Sequence, residues 1–236
     1  MRDTIAQLTF DNFYKPKQMT LAIFDLDNTL IADDSDYLWG QFLVDQQIVD
    51  KEVYEKINAQ FYEDYQQGNL DMIAFLRFAL RPLADNSLEQ LHSWREKFLT
   101  EIIQPILLKK ARDLVEKHRA LGHKLLVITA TNRFITAPIV EMYGIENLIA
   151  TTPELINNRY TGEISGVPCF QGGKVTLLNE WLKETGETLV GSYFYSDSHN
   201  DLPLLQLVEN PIAVDPDEKL HAFATAQNWK IISLRD

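Results

Sequence analysis

A single cysteine, Cys169, stands in 236 residues, so no disulfide can form within the chain. The expected fold holds together without covalent cross-links, in a reducing compartment. Positive charge is also in short supply: 22 lysines and arginines face 34 aspartates and glutamates, a formal net charge of -12. Nucleic acid is thereby disfavoured as a partner, because its phosphates are repelled unless a local basic patch intervenes. The densest basic cluster, Lys109-Lys110 with Arg112, opens an amphipathic stretch running to Leu121 and reads as a solvated helix face. Near the amino terminus stand Asp3 and Asp11 without a sustained apolar run. Neither a signal peptide nor a membrane partner is expected, and a cytoplasmic location is. Repeats and low-complexity tracts are missing as well. With 45% hydrophobic residues, the chain is long enough to bury a substantial core, as a monomer or a homodimer.

The most informative stretch is Phe24-Asp25-Leu26-Asp27-Asn28-Thr29-Leu30, where the apolar run Leu21-Ala22-Ile23-Phe24 ends in two carboxylates one residue apart. Carboxylates at the edge of an apolar core carry a desolvation penalty that a cation, a hydrogen-bond network or a reacting substrate must offset. A calcium loop would need glycine at the sixth position from Asp25, which is Leu30. An ordinary strand followed by an Asx turn is the stronger alternative. Repetition weighs against it. Leu125-Leu126-Val127-Ile128 runs into Thr129-Ala130-Thr131-Asn132, Tyr193-Phe194-Tyr195 runs into Ser196-Asp197-Ser198-His199-Asn200-Asp201, and Ile212-Ala213-Val214 runs into Asp215. Short apolar runs separated by helical patterns predict buried parallel strands with crossover helices, an α/β fold with a Rossmann-like sheet. Parallel strands bring their carboxyl ends to one edge, so Asp25, Asp27, Thr129, Asp197 and Asp201 should converge there.

Roughly ninety residues separate the first two strand motifs, far more than one crossover helix requires. The intervening pattern is helical, with Val53, Ile57 and Phe61 at i, i+4, i+8, then Ile73, Leu76 and Leu80, then Leu88, Leu91, Phe98 and Leu99. It predicts a small helical bundle, a cap over residues 33–105 lying across the carboxyl edge of a core domain made of 1–32 and 106–236. A second irregular piece, 152–173, has Asn157-Asn158 between possible strands and predicts a hairpin or flap. Lys174 follows Gly172-Gly173 and opens an amphipathic helix. A lysine in a first turn opposes the macrodipole, and beside clustered acids it suits an anion-binding role for which phosphate is the natural candidate. Thr129, backbone donors around Ala130, and the Asn200 amide add hydrogen-bond donors for phosphate oxygens.

Together these residues resemble the haloacid dehalogenase superfamily phosphatases, in the branch with a helical cap between the first two motifs. All four motifs occur in order: Asp25-Leu26-Asp27-Asn28-Thr29, Thr129, Lys174, and Asp197 with Asp201. The resemblance implies that Asp25 is a nucleophile forming an aspartyl-phosphate and that Asp27 is general acid and then base. It also implies that Asp197 holds Mg2+ with Asp25 and the Asp27 carbonyl, while Asp201 stands behind these ligands. Phosphoryl transfer needs just such parts: an in-line nucleophile, a proton source and cations offsetting equatorial charge. Magnesium suits an all-oxygen aspartate site without His or Cys clustering. Two motifs depart from the phosphoserine phosphatase pattern: Thr129-Ala130 replaces Ser-Gly, and Ser196-Asp197-Ser198-His199 replaces a Gly-Asp-Gly-Ala type sequence. The latter sets His199 beside a metal ligand. Asp201 also reads as a helix cap before Leu202-Pro203.

Substrate choice is expected in the cap. Asp34 matches the position where phosphoserine phosphatases carry a Glu that holds the substrate amine, and Arg77 roughly matches their carboxylate-binding arginine, with Arg81 competing. Tyr37 and Trp39 offer an aromatic wall for an imidazole. The expected activity is hydrolysis of a small amino-bearing phosphomonoester, phosphoserine or histidinol phosphate. A phosphotransferase or mutase, and a non-catalytic phosphometabolite sensor, are the alternatives on the same scaffold.

Overall fold

The computed structural model describes residues 19–67 and 70–235. The first 18 residues of the expected core segment 1–32, with Asp3 and Asp11, lie outside the described residues. The chain opens with β1 (Leu21–Phe24), every residue of it buried. Four helices follow: α1 (Ser35–Asp45), α2 (Lys51–Gln67), α3 (Met72–Asp85) and α4 (Leu88–Phe98). A π-helical turn, Leu99–Ile103, and a 3-10 turn, Gln104–Ile106, lead to α5 (Lys109–Ala120) and β2 (Lys124–Asn132). Then come α6 (Arg133–Glu141), β3 (Asn147–Thr151), the hairpin β4 (Pro153–Ile156) and β5 (Arg159–Ile164), and α7 (Gly172–Thr185). The last elements are β6 (Tyr193–Ser196), the 3-10 turn His199–Asp201, α8 (Leu202–Leu205), β7 (Asn210–Val214), α9 (Glu218–Ala226) and β8 (Lys230–Ile232).

Six strands form one sheet in the order β3-β2-β1-β6-β7-β8, and every adjacent pair is parallel. Strand parity explains why both faces are covered. Ala22, Phe24, Leu125, Val127, Tyr195, Ile212 and Val214 point to one face and pack with Ala111 and Val115 of α5 and Ile135 and Ile139 of α6. Their alternates Leu21, Ile23, Leu126, Ile128, Phe194 and Ala213 point to the other, against Leu178 of α7, Leu205 of α8, and Leu220 and Ala224 of α9. Continuous apolar runs, rather than alternating ones, are what such a two-sided burial demands.

Three of the four helices after β1, α1, α3 and α4, share the first of these clusters: Trp39, Phe42, Leu80, Leu83, Leu91 and Phe98 are buried with Phe24 and Ile135. Where the chain leaves and rejoins the sheet, Ile31 bridges Leu107 in antiparallel fashion, and the Ala32 N–H donates to the Ile106 carbonyl at 3.0 Å. The stripe Val53, Ile57, Phe61 does not face inward as a unit. Val53 and Ile57 are exposed, and α2 instead turns Tyr54 and Phe61 onto Phe78 and Phe75 of α3. The aromatic rings carry more apolar surface than the aliphatic stripe and take the buried side. Asn157 and Asn158 both take left-handed backbone, at φ 50° and 58°, the two positive angles that a two-residue hairpin turn requires. The hairpin packs on α3, where the Arg159 Nε donates to the Ala84 carbonyl at 3.5 Å.

Candidate active site

The strand order reverses between β1 and β6: one run of neighbours continues through β2 and β3, the other through β7 and β8. Open α/β sheets leave a crevice at such a point, outside the carboxyl ends of the strands. Asp25 is the first residue past β1, with its N–H donating to the Tyr195 carbonyl at 2.8 Å. Asp197 is the first residue past β6, and the Thr29 hydroxyl donates to its Oδ1 at 3.2 Å, tying the two strand ends together.

Lys174 is buried, with 5% of its side chain exposed, which excludes a surface role. Its Nζ lies 2.9 Å from Asp25 Oδ1 and 2.8 Å from the Asp201 carboxylate. Gly173 before it has a steric reason: a Cβ there would stand 2.0 Å from the Pro168 carbonyl oxygen. Only glycine lets the turn fold close enough to aim Lys174 at the strand ends. Burial opposes the Lys174 charge, but Asp201 and Asp25 outweigh it and hold its pKa above the usual lysine value. Burial in turn pushes the Asp25 carboxyl up to about 7, against the pull of Lys174 and with Asp201 and Asp27 adding to the rise. Asp197 is likewise raised well above the usual carboxylate range, by burial first and then by Asp25 and Asp201. One lysine therefore faces two buried aspartates with the half-buried Asp197 close by, and the crevice has a deficit of positive charge.

Asp27 is held by four donors. Its Oδ1 accepts the Ser35 N–H at 2.7 Å and the Ser35 hydroxyl at 2.5 Å; its Oδ2 accepts the Thr131 hydroxyl at 2.8 Å and that of Thr129 at 3.2 Å. Ser35 is the first residue of α1, so the helical insertion reaches the strand ends through this carboxylate. Asp34 caps the same helix, its Oδ1 accepting the Asp36 and Tyr37 N–H groups at 2.9 Å each. Burial, with Asp27 and Asp36 nearby, pushes the Asp34 carboxyl up to about 8. Burial and Asp27 push Asp36 up to about 7, although Asn132 Nδ2 donates to it at 3.4 Å.

Asp25, Asp27, Thr129, Lys174, Asp197 and Asp201 are thus brought together, as the strand-end argument requires. Ala130 lies beside Thr129, and its carbonyl accepts the Thr151 hydroxyl at 2.8 Å. Asn200 stands in the 3-10 turn after Asp197, its Oδ1 accepting from Gln171 Nε2 at 2.9 Å. Asp201 does not cap α8: no side-chain capping bond forms there, and its carboxylate instead accepts the Ser196 hydroxyl at 2.7 Å beside Lys174. His199 turns to the N-cap of α9, with Nδ1 2.8 Å from Asp217 Oδ2.

Arg77 is not brought to the crevice. It lies on the outer side of α3, 62% exposed, with Nε 2.9 and 3.0 Å from the two oxygens of Glu163 on β5. Arg81 is more exposed still and pairs with Asp85 at 3.4 Å. Both guanidiniums are thus paired with carboxylates, Arg77 with the hairpin and Arg81 within its own helix. Tyr37 and Trp39 do not form a joint aromatic wall. Tyr37 is exposed, while Trp39 is buried, stacked on Phe42 and edge-on to Phe98 and Phe134.

Sequence reasoning gives Ser35, Asp36 and Thr131 no individual role. Thr131 had a signal, since residues two apart on a strand share a face with Thr129. Ser35 and Asp36 belong to the run Asp33-Asp34-Ser35-Asp36, which follows the first motif closely enough to face a leaving group. Among the described residues, no group of three or more His, Cys, Asp and Glu side chains is arranged to hold a metal ion. A ligand set made of two carboxylates and a backbone carbonyl has no such group by its nature, and the donors at hand, all oxygen, suit a hard cation that keeps several waters.

Residues 22–206 match the haloacid dehalogenase-like hydrolase family. The histidinol-phosphatase of Neisseria meningitidis serogroup C is 47% identical over 219 residues, 91% of this chain and 99% of that protein. A crystal structure of a protein of unknown function from Bordetella pertussis Tohama I superposes with a TM-score of 0.88 at 42% identity, covering 92% of this chain and 100% of that one. A substrate-bound phosphoserine phosphatase gives 0.66 at 17% identity, covering 93% and 94%, a likeness of fold.

Proposed function

The chain belongs to the haloacid dehalogenase-like hydrolases and is a phosphoric monoester hydrolase, and from that premise we propose that it hydrolyses histidinol phosphate through an aspartyl-phosphate on Asp25. The reading is supported most by the buried line Asp25–Lys174–Asp201, with spacings of 2.9 and 2.8 Å, at the strand ends where Asp27 and Asp197 also arrive. An Asp25 oxygen attacks phosphorus as the bond to the leaving oxygen breaks. Asp27 delivers a proton to that oxygen. In the second half Asp27 takes a proton from the attacking water, and the bond between phosphorus and Asp25 breaks. Lys174 offsets charge on the nucleophile and on the equatorial oxygens. Thr129, the backbone around Ala130, and Asn200 bind the remaining phosphate oxygens.

The residues fit a magnesium ion: Asp25, Asp197 and the Asp27 carbonyl would hold it, with Asp201 anchoring Lys174 behind them. When bound, the ion supplies the positive charge that one lysine cannot, keeping Asp25 and Asp197 ionised and neutralising the phosphoryl group.

The leaving group is read from the cap. Asp34 and Asp36 stand close enough to Asp27 to raise their pKa values, and among the described residues no arginine pairs with either, so an ammonium or imidazolium is favoured there over a carboxylate. Phosphoserine would leave its carboxylate unpaired. Histidinol phosphate carries an amine and an imidazole and no carboxylate, and the relative at 47% identity bears its name. Measuring phosphate release from histidinol phosphate, phosphoserine and sugar phosphates, with magnesium and with a chelator, tests the assignment. The expected result is magnesium-dependent turnover with histidinol phosphate preferred and Asp25→Asn inactive. Preference for a sugar phosphate, or near-normal turnover by folded Asp25→Asn, would overturn it.

A further inference from the structure

The turn that aims Lys174 contains a residue poorly suited to its backbone. Residues 170–173 close with the Gly173 N–H donating to the Phe170 carbonyl at 2.8 Å. Gln171, the first central residue of that turn, sits at φ 47°, ψ -118°, the geometry of a type II′ turn, where glycine is the fitting residue. A side chain at this position is strained, and such strain persists where the surroundings hold the residue in place for a purpose. Glycine occupies the next two positions, yet glutamine stands here.

The side chain of Gln171 crosses from the lysine turn to the turn after β6, where its Nε2 donates to Asn200 Oδ1 at 2.9 Å. On the far side, Asn200 is fixed by its N–H and its Nδ2, which donate to Ser198 Oγ at 3.2 and 3.3 Å. An asparagine amide has two faces of opposite polarity, and rotation about its last bond exchanges them. Turned one way it presents N–H to an anion; turned the other way it presents a carbonyl oxygen, which repels one.

We propose that Gln171 is a positioning residue for phosphate recognition: by donating to Asn200 Oδ1 it holds that amide with Nδ2, and not the carbonyl oxygen, on the side of the substrate phosphate. The inference rests on the reading of Asn200 as a phosphate ligand. It accounts for a glutamine where glycine would relieve the backbone, because glycine has no donor to send across. It also links the turn that delivers Lys174 to the turn that delivers Asp201, so the two halves of the phosphate site are set against each other by side-chain contact.

The test uses inorganic phosphate, the product, as a competitive inhibitor of the magnesium-loaded enzyme. Gln171→Gly should melt at the same temperature as the wild type or higher, since it relieves the backbone, yet bind phosphate roughly tenfold more weakly, the loss expected for one charge-assisted hydrogen bond. Gln171→Met keeps the strain and the length but lacks the donor, and should lose as much affinity. Adding Gln171→Gly to Asn200→Ala should weaken phosphate no further than Asn200→Ala alone. Wild-type phosphate affinity in Gln171→Gly and Gln171→Met, with Asn200→Ala impaired, overturns the positioning role and leaves Asn200 as a ligand. An equal drop on adding Gln171→Gly to Asn200→Ala also overturns it. Unimpaired binding by Asn200→Ala instead removes the reading of Asn200, and the positioning role with it.

Discussion

Replacing Lys174 by methionine removes the one cation from a buried line of carboxylates while keeping most of the length of the side chain. In the folded protein Asp25 and Asp201 then face each other with the ammonium between them gone, at contacts that were 2.9 and 2.8 Å. Breaking a buried pair by deleting one partner costs about 3–5 kcal/mol, because the other charge is left without compensation. For a chain of this size each kcal/mol moves the melting temperature by about 2–4 °C, so Lys174→Met should melt roughly 6–20 °C below the wild type, both measured in chelator. The deficit should depend on pH with a definite sign. Asp25 already lies near 7 with the lysine present, above its value in the unfolded chain. Its ionisation above that unfolded value therefore destabilises the fold, progressively as pH rises. Acid lets the Asp25 carboxyl neutralise, so the deficit should shrink towards about pH 5 and grow towards about pH 8. Asp201→Asn added to Lys174→Met should recover part of the loss by removing one stranded charge. Differential scanning calorimetry or urea unfolding reads all of this. A Lys174→Met protein melting within about 2 °C of the wild type at neutral pH, or one whose deficit grows in acid, would refute the electrostatic account of the site.

Asp27→Asn should keep its four donors in place yet lower kcat by about a hundredfold or more, since leaving-group protonation is lost; a kcat equal to wild type in steady-state assays removes the acid/base role. Arg77→Ala should alter kcat/KM for histidinol phosphate by less than about twofold, because an exposed pair such as Arg77–Glu163 is worth ~0–1 kcal/mol; a tenfold loss would place Arg77 at the substrate. Asp36→Asn retains an acceptor for Asn132 and removes a carboxyl held up near 7. Because that raised value penalises the fold increasingly from about pH 4 upwards, thermal melts should show the variant stabilised at about pH 8 and unchanged at about pH 4. The opposite trend would mean that Asp36 is stabilised as an anion.

Much of the site is legible from strand ends alone. Asp25, Thr129 and Asp197 each follow an apolar run, and the parallel sheet carries them to one crevice whatever lies between them in sequence. Lys174 is announced by the two glycines before it, and the hairpin by Asn157-Asn158. Other features depend on tertiary partners that no local pattern encodes. Arg77 is singled out only by its rough match to a carboxylate-binding arginine of related enzymes, and its partner Glu163 lies 86 residues later in the chain. Val53 and Ile57 obey a buried stripe, but Tyr54 lies one residue away and wins the contact with Phe78. The sheet edges were harder still. β3 ends in no acid, and β8 is three residues long and half exposed, so neither has the continuous apolar run of a central strand. Ser35 contributes to the site only because α1 begins where it does, with Asp34 as its cap. A capping residue in sequence says where a helix starts, not what its first turn will touch.

The central claim, a covalent phosphoryl group on Asp25, is tested most directly by quenching the magnesium-loaded enzyme during turnover of histidinol phosphate and reducing it with borohydride. Peptide mass spectrometry then locates the modified residue. An acyl phosphate on Asp25 is converted by this treatment to homoserine at position 25, which is the predicted result and should be absent without substrate. Turnover with no modification at position 25, or with modification at Asp27 or elsewhere, would contradict it.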